Sequence, residues 1–211
     1  DKEIYLHQTK GDMNIAAIYA GKGINLISAG NILSTNVNVG SSAGSTSGSD
    51  GDKEDENLIL GYINAGDEIV LEAAENIGTS EQGVNILNGK ESMVGAKGNN
   101  IYLTGKKEGE LLLGNIDAKG NAEINSDDSI RVAGNVKVVG DTKLTAEKNI
   151  VLESANKDIT TIDTANLNMT AIAGSINQSL SNTIITNIIT AHANDGISLT
   201  GEANKFNSIN L

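Results

Sequence analysis

Apolar residues in this chain come in pairs two positions apart, and the pairs come back after twenty residues. Ile4 and Leu6 return as Ile24 and Leu26, and Ile130 and Val132 return as Ile150 and Leu152. A period of two is that of a β-strand, whose side chains alternate between faces. A return after twenty residues is the length of one coil of a solenoid. Further pairs at Ile69/Leu71, Ile101/Leu103, Leu111/Leu113, Val136/Val138, Leu167/Met169, Ile197/Leu199 and Ile209/Leu211 extend the pattern along the chain. Each is too short to hold a sheet by itself, so each needs a like strand above and below it.

Between the pairs lie polar corners rich in Gly, Asn, Asp and Ser, residues suited to tight turns. The unit recurs almost as a word: Ala20-Gly-Lys-Gly-Ile24-Asn-Leu26, Ala65-Gly-Asp-Glu-Ile69-Val-Leu71, Ala146-Glu-Lys-Asn-Ile150-Val-Leu152 and Ala193-Asn-Asp-Gly-Ile197-Ser-Leu199. Asn stands directly before an apolar residue at Asn14, Asn31, Asn76, Asn100, Asn115, Asn135, Asn149, Asn166 and Asn187. At those corners an amide can hydrogen-bond to the next coil, as stacked Asn residues do. With strands spaced ~4.8 Å, about nine or ten coils make a rod roughly 45 Å long.

Composition agrees with a core built without aromatic rings. The 211 residues include no Pro, Cys or Trp, one Phe and four Tyr, so Ile, Leu, Val and Ala must fill the interior. With 38% hydrophobic and 20% charged residues there is enough apolar material to fold. A formal charge of −12 disfavours nucleic acid and anionic membranes, and neither is expected as a partner. Without Cys there are no disulfides or thiolate metal sites, which leaves the compartment open. No run reaches the length of a membrane span, and Asp1-Lys2-Glu3-Ile4-Tyr5-Leu6 does not resemble a signal peptide; the chain reads as a fragment of a larger one.

Two regions depart from the beat. Residues 40–57 form a Gly/Ser tract ending in acidic residues and read as a flexible loop extruded from a single β-helix spanning 1–211. Ser181 to His192 carries Ile184, Ile185, Ile188 and Ile189 at a spacing that imitates a helix face. The Thr and Asn residues around them favour strand. A six-residue beat through Ile124, Ile130, Val136 and Thr142, and through Val132, Val138, Leu144 and Ile150, imitates a left-handed hexapeptide helix such as trimeric acyltransferases use. It is not sustained on either side and is read as three strands per coil locally in step.

Candidate sites are few, and no catalytic, cofactor or metal residue is assigned. Asp50-Gly51-Asp52-Lys53-Glu54-Asp55-Glu56 begins like a calcium loop but lacks Gly at the sixth place and Glu at the twelfth, so it reads as solvated. His7 and His192 have no accompanying ligand or nucleophile pattern and read as surface residues. Arg131, the only arginine, alternates outward between Ile130 and Val132. With Asp127 and Asp128 it echoes the basic residue and acidic ligands of β-helix lyases, without an aromatic sugar platform. Lys10-Gly11-Asp12 imitates an integrin tripeptide, and the tripeptides from Asn168 and Asn177 fit the glycosylation acceptor pattern; matches this short arise by chance.

The phrases Ser28-Ala29-Gly30-Asn31-Ile32, Ala146-Glu-Lys-Asn-Ile-Val-Leu-Glu-Ser-Ala155 and Ala193-Asn-Asp-Gly-Ile-Ser-Leu199 resemble the degenerate repeats of filamentous haemagglutinin-type exoproteins, over most of the chain except 40–57. The resemblance implies a right-handed parallel β-helix shaft, exported by two-partner secretion to the bacterial surface. It implies use in adhesion to a host or neighbouring cell or in presenting a distal toxic or receptor-binding tip, and a β-helix that continues at both ends. The family's secretion domain carries Asn-Pro-Asn motifs that a chain without Pro cannot contain. The expected function is therefore that of a structural, non-enzymatic segment. The alternative is a β-helix carbohydrate-active enzyme or a tailspike-like polysaccharide binder, and Tyr5, Tyr19, Tyr62 and Tyr102 offer it little for sugar stacking.

Overall fold

The structure, a computed structural model, describes residues 2–35, 37–38, 58–59, 61–87, 92–106, 109–154 and 159–211. Short strands wind into a parallel β-solenoid of about eight turns, and the described residues contain no helix. One main sheet runs from Ile4–Gln8 through Ile24–Ser28, Glu68–Ala73, Met93–Gly98 and Leu111–Ala118. It continues through Ile130–Val132, Ile150–Leu152 and Ser175–Gln178 to Gly196–Leu199. The other runs from Ala17–Ala20 to Ser208–Asn210, again nine strands long.

Parallel pairing places like positions of successive coils in columns along the axis. One column reads Ile4, Ile24, Ile69, Val94, Leu113, Val132 and Leu152. From Ile24 to Leu152 its members are at most 1% exposed. Burying each such side chain contributes about 1.5–3 kcal/mol, which the outward, solvated positions between them do not offset. The spacing of twenty residues holds closely where nothing is inserted: 94 to 113, 113 to 132 and 132 to 152 are steps of 19, 19 and 20.

Halfway along, one strand becomes two. Between the columns of Val94 and Ala96 stands Gly95 alone. One coil later Gly114 and Asn115 occupy that gap, and in the next coil Ala133, Gly134 and Asn135 do. Adding one residue per coil bends the strand until it divides into Ile130–Val132 and Val136–Val138, which both pair with Leu111–Ala118. From there each coil has three sides. The six-residue beat is this stretch: Ile124, Ile130, Val136, Thr142, Leu144 and Ile150 all face inward at 2% exposure or less.

Insertions leave the columns intact. In the third coil Ile77 stacks between Ile32 and Ile101, whereas the next inward residue, Val84, comes after a six-residue excursion, Gly78 to Gly83, and pairs with Leu103. In the second coil extra chain separates Ser34 from Tyr62, and its ends Val37–Asn38 and Leu58–Ile59 pair antiparallel. Residues 40–57, the expected flexible loop, lie outside the described residues. Ser181 to His192 is strand as expected: Asn182–Ile185 and Ile188–Ala193 point Ile184 and Ile189 into the core and Ile185 and Ile188 away from it.

The two ends differ in what fills them. Leu6 is 44% exposed and Ile209 39%, because each sits on an outermost coil with a neighbour on one side only. At the carboxyl end the interior turns polar: Gln178 replaces leucine in its column, and Thr160, Thr164, Asn182 and Thr186 face inward in the last coils. The segment 200–205 folds over them. Lys205 N–H donates to the Ile184 carbonyl at 2.7 Å and its carbonyl accepts from Thr186 N–H at 2.9 Å, so the edge of Asn182–Ile185 is covered.

Candidate functional surface

The corner amides form a ladder. Backbone N–H and Nδ2 of Asn76 both donate to Asn31 Oδ1, at 2.9 and 3.1 Å, and Asn100 does the same to Asn76 at 3.0 and 2.9 Å. Asn121 N–H donates to Asn100 Oδ1, Asp141 N–H to Asn121 Oδ1, and Asn166 Nδ2 to Asp141 Oδ1. At the amino end Asp12 Oδ1 accepts from Asn31 N–H and Nδ2. A short amide suits this work because its oxygen reaches the backbone N–H of the next coil while its nitrogen reaches the oxygen before it. Shorter ladders run from Asn115 to Asn135 to Thr161 and from Asn149 to Ser175.

Of the nine Asn residues picked out in sequence, Asn14 is excluded from these ladders: it is exposed in the middle of Met13–Ile15. Asn187 donates its backbone N–H to Ala165, one position out of step, because Ile188 and not Asn187 stands opposite Asn166. The first ladder stops there, and Asn166 Oδ1 is left buried without a partner. Asp12, Asn121 and Asp141 were not picked out. The signal that would have found them is their distance of nineteen to twenty-one residues from a neighbouring rung rather than residue type alone.

Charged residues tie neighbouring coils in the same way. Arg131 Nε reaches Glu110 at 2.7 Å in the coil before, and Nη1 reaches Glu153 at 2.9 Å in the coil after. Lys143 pairs with Glu123 at 2.8 Å, Lys148 with Asp128 at 2.6 Å and Lys106 with Asp127 at 3.3 Å. The bond from Lys148 holds the Asp128 carboxyl below the ordinary carboxylate range, and the bond to Glu110 raises Arg131. Arg131, Asp127 and Asp128, which sequence set together as a lyase-like group, thus each have a separate partner and do not converge. The pairs made by Arg131, Lys143 and Lys106 are largely solvated and worth about 0–1 kcal/mol each, whereas Asp128 is buried beneath Lys148.

The remaining sequence candidates are scattered. His7 is exposed on the first coil and His192 on the eighth, opposite Thr170. Asp12 of the Lys-Gly-Asp tripeptide is committed to the ladder, and its bonds from Asn31 lower its pKa. Asn168 lies on the outer face of Asn166–Ala171 and Asn177 on that of Ser175–Gln178. The acidic run 50–56 lies outside the described residues. Among the described residues no group of three or more His, Asp or Glu is arranged to hold a metal ion, and no helix is long and apolar enough to cross a membrane.

Among the described residues, clefts interrupt the surface at several places, three of which bear on function. One of about 480 Å³ lies at the carboxyl end between Asp163 and Phe206. A second, of about 350 Å³, follows the crease over Gly95, Gly114 and Gly134 where the strand divides. Gly134 is required there by packing, since a Cβ would stand 2.4 Å from the Gly114 carbonyl carbon. The third, also about 350 Å³, lies between the Gly78–Gly83 excursion and the ladder.

Residues 98–166 match a family described as repeats of unknown function, DUF5649. No curated protein and no solved structure matches the chain. The matched stretch spans the coils in which the strand divides and the twenty-residue spacing is most regular.

Proposed function

We propose that this chain is a structural and adhesive shaft segment of a large secreted bacterial surface exoprotein of the filamentous haemagglutinin type, carried to the cell surface by two-partner secretion. The observation that supports this most is the engagement of the outward polar residues. Asn, Asp, Lys, Glu and Arg side chains bond to the coil before or after them and so stiffen a rod. An enzyme of this architecture needs such groups aimed at a common point instead. On this reading the protein is not a catalyst, and its partners are a receptor on a host or neighbouring cell and further β-helix at either end.

The test is done on cells of the source organism. Antibody raised against the rod is applied to intact cells before and after mild external protease, in a wild-type strain and in one lacking its outer-membrane exoprotein transporter. Surface labelling that protease removes and transporter loss abolishes supports the reading. Label confined to lysed cells would overturn it.

A further inference from the structure

The third cleft has features that a shaft does not require. The regular coil passes from one inward position to the next in two residues, yet between Ile77 and Val84 the chain makes its excursion. That excursion is held tightly. Gly78 has φ +72°, and a Cβ there would meet the Tyr102 carbonyl oxygen at 2.6 Å; one at Gly83 would meet Thr104 Oγ1 at 2.7 Å. Thr79 and Gln82 exchange backbone hydrogen bonds at 2.9 and 3.2 Å, and Gln82 N–H also donates to Thr79 Oγ1. The result is a fixed wall standing on the rod, the kind of connection that carries binding residues on a rigid scaffold.

Facing the wall are the half-buried Tyr102 ring, Leu33, and the ladder amides Asn76 and Asn100. Each Nδ2 has two protons, and the ladder bonds of Asn76 and Asn100 each use one. Ser80 adds an exposed hydroxyl on the wall. Among the described residues no carboxylate, amine or imidazole lines this space, although the chain carries a net charge of −12. The cleft therefore combines one aromatic and one aliphatic surface with neutral donors and acceptors. Its volume falls within the ~300–1,000 Å³ range of small-molecule sites.

We infer that this cleft is a subsite for a neutral sugar residue of a glycan. The apolar face of a pyranose packs on the Tyr102 ring, and its hydroxyls meet the spare Asn76 and Asn100 N–H groups and the Ser80 hydroxyl. Acidic glycans are disfavoured by the charge of the rod. Thr79 acts indirectly, by closing the turn that positions Ser80. The subsite stands on these residues and not on the reading of the chain as a surface shaft, so either can fail without the other.

The test uses an array of neutral and acidic oligosaccharides, followed by saturation-transfer NMR of the best neutral binder at millimolar concentration. Tyr102→Ala should weaken binding at least about tenfold, the loss of one good contact, while Tyr102→Phe retains it. Ser80→Trp, which fills the cleft from an exposed position without removing a packed side chain, should abolish it. Tyr19→Ala, at an exposed tyrosine on the first coil, should change nothing. Circular dichroism and thermal unfolding confirm that each variant is folded. The proposal is overturned if no neutral glycan binds, if acidic glycans bind in preference, or if folded Ser80→Trp binds like the parent protein.

Discussion

The side chains of Gln178 and Asn204 face each other as a reciprocal amide pair, with Gln178 Nε2 donating to Asn204 Oδ1 at 2.7 Å and Asn204 Nδ2 donating to Gln178 Oε1 at 2.8 Å. Gln178 is only 4% exposed, and it is fully served: Nε2 also donates to the Asn182 carbonyl and Oε1 accepts from Gly201 N–H. Replacing one member takes two hydrogen bonds from the other, which keeps only its bonds to Asn182 and Gly201 or to Ile184, and costs about 1–3 kcal/mol. Gln178→Leu, although it restores the apolar column, is expected to speed amide exchange through 196–210 while 24–146 keeps its protection. A double-mutant cycle with Asn204→Ala should give a coupling of about 0.5–3 kcal/mol. Additive effects would mean that the pair does not close the rod.

Asn100 occupies the middle of the long ladder, donating twice to Asn76 and accepting from Asn121. Asn100→Ala should lower stability by about 1–3 kcal/mol in urea unfolding, whereas Asn14→Ala, at an exposed position outside the ladders, should stay within about 0.5 kcal/mol. Equal effects would show that the ladder contributes nothing beyond loop composition.

Acid should act on particular contacts. The folded-state pKa of Asp128 is depressed by Lys148, so its contribution to stability is present above the unfolded carboxylate pKa and is lost as pH falls through the folded value. The stability gap between the parent protein and Asp128→Asn should therefore be widest near neutral pH and close below the ordinary carboxylate range. Asp12, depressed by Asn31, should behave alike, and Asp12→Asn keeps an amide oxygen for the ladder and should remove that acid sensitivity. Carbon-detected NMR titration of the two carboxyls reads both effects.

Gly134→Ala forces a Cβ against the Gly114 backbone, where nothing flexible can yield. A loss of about 1–3 kcal/mol is expected, as for an overpacked core, and amide exchange should rise first around 113–136. Gly11→Ala meets no atom within 4 Å, so its cost comes from φ +69° alone and should be smaller. A Gly11→Ala loss as large as that of Gly134→Ala would count against the close approach.

Tyr5, Leu6 and Tyr19 are exposed on the first coil, and the outer edges of Ile4–Gln8, Gly196–Leu199 and Ser208–Asn210 have no partner among the described residues. Self-association in sedimentation velocity should rise with concentration and fall on Leu6→Lys, since a charge on an edge strand opposes pairing. Leu211→Lys, beside the open edge at the other end, should act in the same direction.

Much of this architecture is legible in the chain because most of its inward positions are Ile, Leu, Val and Ala, and a strict alternation cannot be satisfied by any helix. Arg131 was placed outward by that alternation alone. What escaped was set by register. Gln178 looks polar in isolation and is drawn inside by the column of Leu152. Asn121 and Asp141 belong to the ladder through position rather than type, and Asn187 falls out of it by one step. The cleft by Tyr102 depends on an excursion whose residues, Gly78 to Gly83, read as an ordinary turn until Val84 is seen stacked on Leu103.

Every amide in the long ladder that reaches across coils through its oxygen accepts from the coil that follows it in sequence. The rod therefore has a direction. Each coil presents a row of acceptors at the position where the donors of the following coil lie. Seen from the other end, each coil presents donors instead, so the two faces of a coil are chemically distinct. In chemical terms the ladder is polar from end to end, and Asn166, whose oxygen receives nothing, is the rung at which that polarity stops.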